Sequence, residues 1–303
     1  MINDFIAFSL PPILIASFAA LACALPGNFL ILRKQALIGD AISHVVLPGI
    51  VLAFLVSGSI STVPMLLGAA AASLVAVVLI EVIKYFGRIE AGAAMGVVFT
   101  SMFALGVLFL EQSETRNVHL DVEHVLFGNL ESLIWLEADG WASLFTVSDL
   151  ALLPPELFRM IGVFLVIALF ILAFWRPLVL MTFDEYYART LGIPTFLYGL
   201  ALVVVTALAA VSAFDAVGSI IVIAMILCPP AAARLMTNSL VAQVWISMGI
   251  ALASSVIGYI AAGHMPLWIG LSYTVSAAGM IATISGIFLG FAALFGQHRS
   301  RVT

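Results

Sequence analysis

The chain has 303 residues, of which 64% are hydrophobic and only 9% are charged, and its net charge at pH 7 is −5. About a quarter of the residues of a soluble globular domain are charged. This composition therefore excludes a water-soluble protein and indicates one that is embedded in lipid. Nucleic acid is excluded as a partner because the sequence contains no basic tract.

Apolar segments follow one another from one end of the chain to the other, each near the length of about 20 residues that a helix needs to cross a bilayer. Helices are expected because lipid cannot satisfy exposed backbone groups. The sequence predicts an all-α, polytopic membrane protein with a single domain over residues 1–303. It has eight to nine transmembrane helices, since one segment could be re-entrant. The segments are 5–32, 36–56, 63–84, 91–110, 159–175, 194–212, 216–234, 240–261 and 266–294.

Three features predict local irregularities in these helices. A break is expected within Val211–Gly218, and a kink is expected at Pro229 and Pro230 because proline removes a helical hydrogen bond. Pro48-Gly49 is expected to loosen the second helix. Two G-x-x-x-G pairs would permit close helix contact; they are Gly92 with Gly96 and Gly286 with Gly290.

The distribution of basic residues predicts the orientation. If the segments alternate, nine of the 11 basic residues fall on one side: Arg33, Lys34, Lys84, Arg88, Arg176, Arg189, Arg234, Arg299 and Arg301. An excess of Lys and Arg marks the cytoplasmic side, so this side and the C-terminus are predicted to be cytoplasmic. The acidic connection at about 111–158 then lies outside. It is interpreted either as a solvated loop or as a docking or cation-attracting surface.

Asp40 and His44 are the outstanding polar residues inside a predicted span. Four residues apart, they project from the same face of a helix. A rise of about 1.5 Å per residue from Arg33 places His44 roughly 15 Å into the bilayer. A carboxylate and an imidazole suit zinc, manganese or ferrous iron. The spacing alone also fits a proton relay or a hydrogen-bonded pair that holds two helices together.

The segment at about 176–194 differs from an ordinary loop. Thr182 or Asp184 can cap a short helix, Gly192 can end it, and Pro194 prevents its continuation. The pattern predicts about two helical turns under the membrane. They form either an ordinary interfacial helix or a surface for a soluble partner.

Four stretches, taken in chain order, resemble the zinc/manganese/iron-type ABC importer permeases of the ABC-3 family. They are GDAISHVVLPG at 39–49, HVLFGN at 124–129, FDEYYARTLG at 183–192, and a segment that runs from AVGS at 216 to CPPAAAR ending at 234. The similarity extends from about residue 30 to residue 235, and the apolar segments continue the family pattern to the end. It implies a multi-pass permease in the bacterial cytoplasmic (inner) membrane.

The resemblance also implies a function and a set of partners. The chain is expected to move a divalent transition metal (zinc, manganese or iron) into the cytoplasm by alternating access, with Asp40 and His44 on the metal path. It is expected to be no enzyme and to hold no permanent cofactor. ATP is expected on separate ATPase subunits, an extracytoplasmic metal-binding protein delivers the ion, and a second copy or a homologous permease completes the membrane part. The implied coupling helix contains Phe183, Asp184, Glu185, Ala188, Leu191 and Gly192.

Two departures from the family pattern stand out. An apparent insertion over Glu131–Leu150 lengthens the outer region, and Cys228-Pro229-Pro230 replaces an apolar residue followed by a single proline. The absence of a G-x-x-x-x-G-K-[ST] loop agrees with ATP hydrolysis on another subunit. Two alternatives stay open: a proton-coupled secondary transporter that uses the Asp40–His44 pair, and an ABC permease for a metal chelate. The choice among zinc, manganese and iron also stays open.

Overall fold

The computed structural model describes residues 2–35, 37–58, 62–112, 130–135, 140–141, 143, 146–150, 152–268 and 275–296. Over these residues the regular structure is helical, with no β-strand, which confirms the predicted all-α class. The helices are α1 Ile2–Phe8, α2 Leu10–Leu32, α3 Ile38–Ser57, α4 Thr62–Gly87, α5 Ala91–Gln112, α6 Val147–Leu150, α7 Pro155–Ala173, α8 Trp175–Phe183, α9 Glu185–Thr190, α10 Thr195–Met236, α11 Leu240–Trp268 and α12 Ala277–Phe295. A 3-10 turn lies at Leu130–Ser132.

The described residues contain nine helical stretches that are long and apolar enough to cross a membrane. Each corresponds to one predicted segment, so the prediction of a polytopic protein is confirmed. The fifth stretch begins at Pro155 instead of residue 159. The ninth begins at Ala277 instead of 266, because α11 continues to Trp268. Apolar residues run through this boundary, so composition does not mark it.

The chain divides into two compact units, which are described separately. The first consists of residues 1–28, 123–169 and 213–303, and the second of residues 29–122 and 170–212. The second unit contains α3, α4 and α5 together with α8 and α9, so the predicted metal residues and the predicted coupling residues belong to the same unit. A single membrane domain over 1–303 stays a prediction.

In the second unit, glycines bring α3 into backbone contact with its neighbours. A Cβ on Gly49 of α3 would lie 2.4 Å from the carbonyl oxygen of Gly68 on α4, and a Cβ on Gly106 of α5 would lie 2.9 Å from the ring of Pro48. Helices approach this closely only where small residues meet. α3 continues through the Pro48-Gly49 step to Ser57, and the step is the contact surface for α4 and α5.

The two G-x-x-x-G pairs do not make the contacts expected of them within this chain. Among the residues that the structure describes, no atom outside the glycine's own stretch of helix lies within 4 Å of a Cβ built on any of the four glycines: Gly92, Gly96, Gly286 and Gly290. The spacing creates a small-residue face on a helix, but another helix must lie against that face. The close contacts between helices occur at Gly49, Gly68 and Gly106 instead, because these are the glycines that lie against a neighbouring helix.

In the first unit, the predicted break in α10 is confirmed. Gly218 has φ 78° and ψ 167°, which interrupts the helical conformation. The helix resumes after Gly218 and continues through Pro229 and Pro230 to Met236. Pro230 has no N–H, so the carbonyl of Ile226, four residues earlier, loses its usual helical donor. That carbonyl faces α2, where a Cβ on Gly27 would lie 2.3 Å from its oxygen. The glycine therefore lets α2 pack over the proline step.

Part of the predicted outer connection is packed into the first unit. The Glu131 Oε1 atom accepts a hydrogen bond of 2.8 Å from the backbone N–H of Ala277, at the start of α12. A carboxylate is favourable there because helix N-termini carry partial positive charge. Trp135 is fully buried, and its backbone N–H donates to the Ala7 carbonyl at 2.8 Å. The start of the predicted insertion is thus anchored, whereas the stretch 124–129 lies outside the described residues.

Candidate functional site

Asp40 and His44 lie on one face of α3, as their spacing predicts. Asp40 is in the first turn of the helix, and its Oδ1 atom is 3.5 Å from His44 Nε2. The side chains remain 38% and 42% exposed, respectively, so the pair is accessible from outside the chain. At this separation the carboxylate biases the direction of the imidazole but does not hold it by a short hydrogen bond.

Two aromatic rings of α5 contact the imidazole on part of its surface. Sequence reasoning did not identify them. Phe99 stacks on His44 with ring centroids 5.2 Å apart and an interplanar angle of 22°. Phe103 meets the same ring edge-on, at 5.6 Å and 80°. Both arrangements are favourable for aromatic pairs. The rings cover part of the imidazole with apolar surface. The rest of the imidazole stays exposed, so a ligand can reach it from that side.

The packing of α5 on α3 explains why these rings reach His44. Phe99, Phe103 and Gly106 recur at helical spacing and therefore share one face of α5. Gly106 lies against Pro48, one turn beyond His44 on α3. Pro48 also lacks an N–H, so the backbone carbonyl of His44 loses its usual helical donor.

Within the described parts of the chain, no group of three or more His, Cys, Asp and Glu side chains is arranged to hold a metal ion. One chain therefore offers Asp40 and His44 as two side-chain ligands in this region. Divalent metals take four or more ligands in proteins. Any complete coordination sphere at this position includes groups from beyond the pair.

The predicted coupling segment, residues 183–192, contains the short helix α9, whose cap is Asp184, one of the two predicted caps. Asp184 lies between α8 and α9, and its Oδ1 atom accepts a hydrogen bond of 2.8 Å from the N–H of Tyr187. This is the arrangement of a helix N-cap. Thr182 instead donates to the carbonyl of Leu178 in its own helix. The short helix α9 thus starts directly after Asp184.

The end of α9 is fixed by Gly192, as predicted. Gly192 has φ 78°, a conformation that glycine adopts without steric cost. Its N–H donates to the Arg189 carbonyl at 3.0 Å, and the N–H of Ile193 donates to the Ala188 carbonyl at 3.1 Å. These two bonds form a Schellman motif, which satisfies carbonyls at the helix end. Ala188 is buried beneath the turn.

The coupling segment presents aromatic and apolar side chains away from the chain. Phe183, Tyr186, Tyr187 and Leu191 are each more than half exposed. The segment lies outside the nine candidate spans, between the stretches that end at Ala173 and begin at Thr195. Exposed aromatic and apolar side chains of this kind fit both predicted alternatives, an interfacial helix and a surface for a soluble partner.

Comparisons with known proteins agree with these features. The model of the ABC 3 transport family matches residues 6–295. The chain is 37% identical over 283 residues to the manganese transport system membrane protein MntD of Bacillus subtilis, covering 93% of this chain and 90% of the relative. It is 36% identical over 291 residues to the zinc transport system membrane protein TroD of Treponema pallidum, covering 96% and 74%.

The fold is also similar to that of a solved assembly. The chain matches a chain of PsaBC from Streptococcus pneumoniae, solved in complex with Fab, with a TM-score of 0.75 and 27% identity over 97% of this chain and 94% of the other. The family match spans nearly every helix described above, including those that carry the Asp40–His44 pair and the coupling segment. The chain therefore belongs to the ABC 3 transport family.

Proposed function

We propose that this chain is the permease subunit of an ABC importer that moves a divalent transition-metal ion into the cytoplasm. The observation that carries the proposal is the accessible Asp40–His44 pair on α3, backed by Phe99 and Phe103. Relatives named as manganese, zinc and iron transport proteins support the same class of cargo. The transported ion is the substrate of the system, not a resident cofactor.

The donor set explains how such an ion is received. A carboxylate oxygen and an imidazole nitrogen suit borderline divalent ions. A second permease copy that meets this face of α3 brings another Asp40 and another His44, which gives four side-chain ligands. A set of four offsets the cost of removing water from the ion, which two ligands do not. The identity of the metal depends on the geometry of the assembled site.

The remaining subunits follow from the same proposal. The exposed aromatic side chains of the coupling segment receive an ATPase subunit on the cytoplasmic side. A metal-binding protein docks on the outer side and delivers the ion. ATP-driven movement of the coupling segment then alternates access to the pair. The chain lies in the bacterial cytoplasmic membrane with its C-terminus in the cytoplasm, in keeping with the excess of basic residues on that side.

Uptake of radiolabelled manganese, zinc and iron in cells that carry the whole operon tests this proposal. We expect His44→Ala to lower ATP-dependent uptake of one ion by more than about tenfold, since even outer-shell partners of metal ligands contribute about 10- to 100-fold. Thr100→Ala on α5 is the control, because its hydroxyl bonds to carbonyls of its own helix. Undiminished uptake of all three ions by His44→Ala would contradict the metal path. Uptake that persists without the ATPase would favour a proton-coupled transporter.

A further inference from the structure

Arg33 occupies an unusual position at the cytoplasmic end of α2. It directly follows the first candidate span, which ends at Leu32. Its Nε donates to Gln35 Oε1 at 3.3 Å, and its Nη2 packs on α10, 3.2 Å from the position of a Cβ on Gly199. Nη1 is buried and has no hydrogen-bond partner among the residues that the structure describes. A cationic donor is therefore held inside the protein with unused bonding capacity.

Two carboxylates act on this guanidinium from different elements. Burial lowers the pKa of Arg33, and the negative charges of Glu185 on the coupling helix and Glu81 on α4 oppose that shift. An arginine remains charged in proteins. Arg33 is therefore a half-buried cation, with Nη1 fully buried, that lies in the field of both the coupling helix and α4.

The coupling helix is joined firmly to the start of α10. Arg189 Nη2 lies 2.5 Å from Glu185 Oε1, and Arg189 Nε donates to the Thr195 hydroxyl at 3.0 Å. The Thr195 hydroxyl is in turn 3.4 Å from Glu185 Oε1. These bonds link both ends of α9 to the first residue of α10. A displacement of the coupling helix therefore carries the start of α10 with it.

The packing is open between α4 on one side and α9 with the start of α10 on the other. A cavity of about 690 Å³ lies there, lined by Glu81 and Phe86 of α4, by Arg189, and by Pro194 and Phe196 at the start of α10. Glu81 is meanwhile paired with Lys84 of its own helix at 2.6 Å. The coupling helix therefore has space to move relative to α4, and such movement changes the distances from Arg33 to the two carboxylates.

We propose that Arg33 is a positioning residue that transmits displacement of the coupling helix to α3, and thereby to Asp40 and His44. The connection from Arg33 to α3 is short, and it is held by a bond from the Gln35 N–H to the Leu30 carbonyl at 2.8 Å. Asp40 follows in the first turn of α3. When the coupling helix shifts, the buried Nη1 gains a carboxylate acceptor, and a charge-assisted bond of this kind is strong.

This inference rests on the proposed function, and its test separates the two. The purified complex of permease, ATPase and binding protein is reconstituted in vesicles, and metal uptake and ATP hydrolysis are measured on the same sample. ATP-driven uptake by the wild type tests the proposed function. The number of ions moved per ATP in Arg33→Gln tests the inference. The neighbouring exposed cation provides the control, Lys34→Gln.

We expect Arg33→Gln to keep ATP hydrolysis and to lower the ions moved per ATP by about tenfold, within the usual range of coupling between sites. Arg33→Lys, which keeps the charge but not the planar fork, gives an intermediate value. Glu185→Gln lowers the ratio as well, and the double variant is no worse than the poorer single variant because the two residues act as one unit. Lys34→Gln keeps the wild-type ratio.

Three results would overturn the inference. The first is an unchanged ratio of ions to ATP in Arg33→Gln. The second is an additive loss in the double variant, which would mean that Arg33 and Glu185 act independently. The third is an equal loss in Lys34→Gln, which would mean that losing either positive charge at this turn lowers the ratio and that Arg33 has no special role. If Arg33→Gln does not assemble, Arg33→Lys and Glu185→Gln decide the matter by the same ratio.

Discussion

At His44, two kinds of neighbour act on one imidazole ring. The carboxylate of Asp40 lies 3.5 Å from Nε2, whereas Phe99 and Phe103 contact the ring over its face and edge. The Asp40–His44 pair was predictable because a four-residue spacing places both side chains on one helix face. The two phenylalanines were not, because they come from another helix and nothing in an apolar span distinguishes them among 21 phenylalanines.

Replacing Phe99 tests whether the aromatic packing matters for transport. Phe99→Leu removes the stacked ring, and such aromatic pairs contribute about 0.5–1.5 kcal/mol beyond buried area. We expect the KM of metal uptake to rise by roughly 2- to 12-fold, because a less well oriented imidazole binds the ion more weakly. Phe99→Tyr keeps the ring and should restore the wild-type KM.

The matched control for this substitution is Phe291→Leu on α12, where the ring stacks on Phe295 and belongs to the other compact unit. It should leave the KM of uptake unchanged. An equal KM for Phe99→Leu and the wild type, at equal expression in the membrane, would mean that the stacked ring of Phe99 does not help to orient His44.

Among the helices, α10 illustrates what local sequence predicts well. The break was expected in Val211–Gly218, and it occurs at Gly218, whose φ of 78° and ψ of 167° belong to a region almost restricted to glycine. The Asp184 cap and the Gly192 end of the coupling helix were likewise predictable from residue type. Each depends on the backbone preference of one or two residues, and that preference follows from the residue type alone.

Gly218→Ala should therefore destabilise the permease. A non-glycine residue in this conformation costs about 1–3 kcal/mol, so the purified chain in detergent should have a lower midpoint of thermal unfolding than the wild type. Gly249→Ala on α11 is the control, because a Cβ there meets no atom within 4 Å. If the two variants unfold at the same temperature, the break at Gly218 does not depend on glycine.

Contacts between helices were predicted less well. The G-x-x-x-G rule selected four glycines that meet no neighbouring helix in the part of the chain that the structure describes, while Gly49, Gly68 and Gly106 make the close approaches. All faces of a membrane-spanning helix are apolar in sequence, because the lipid-facing side is as hydrophobic as the side that packs against protein. The sequence therefore does not show which face is buried. Which small residues meet is therefore set by the arrangement of the whole bundle. The same applies to the boundary between α11 and α12.

For the whole molecule, the central feature is that the Asp40–His44 pair and the coupling segment lie in one compact unit. That unit joins residues 29–122 with residues 170–212, a pairing that a linear hydropathy pattern does not contain. The apolar composition predicted the membrane spans, and the four stretches that resemble the family predicted the candidate function. The link that we propose from the coupling helix to the pair depends on Arg33, which packs on Gly199 of α10 and lies in the field of Glu185.

Metal bound to the purified permease assembly tests the central claim most directly. After equilibrium dialysis against the ion that is taken up, the bound metal is counted by elemental analysis for the wild type, Asp40→Asn and His44→Ala. Our account predicts about one tightly bound ion per pair of permease chains, since four side-chain ligands complete one site, and loss of that ion in both variants. Equal amounts of bound metal in all three proteins would contradict the assignment of Asp40 and His44 to the metal path.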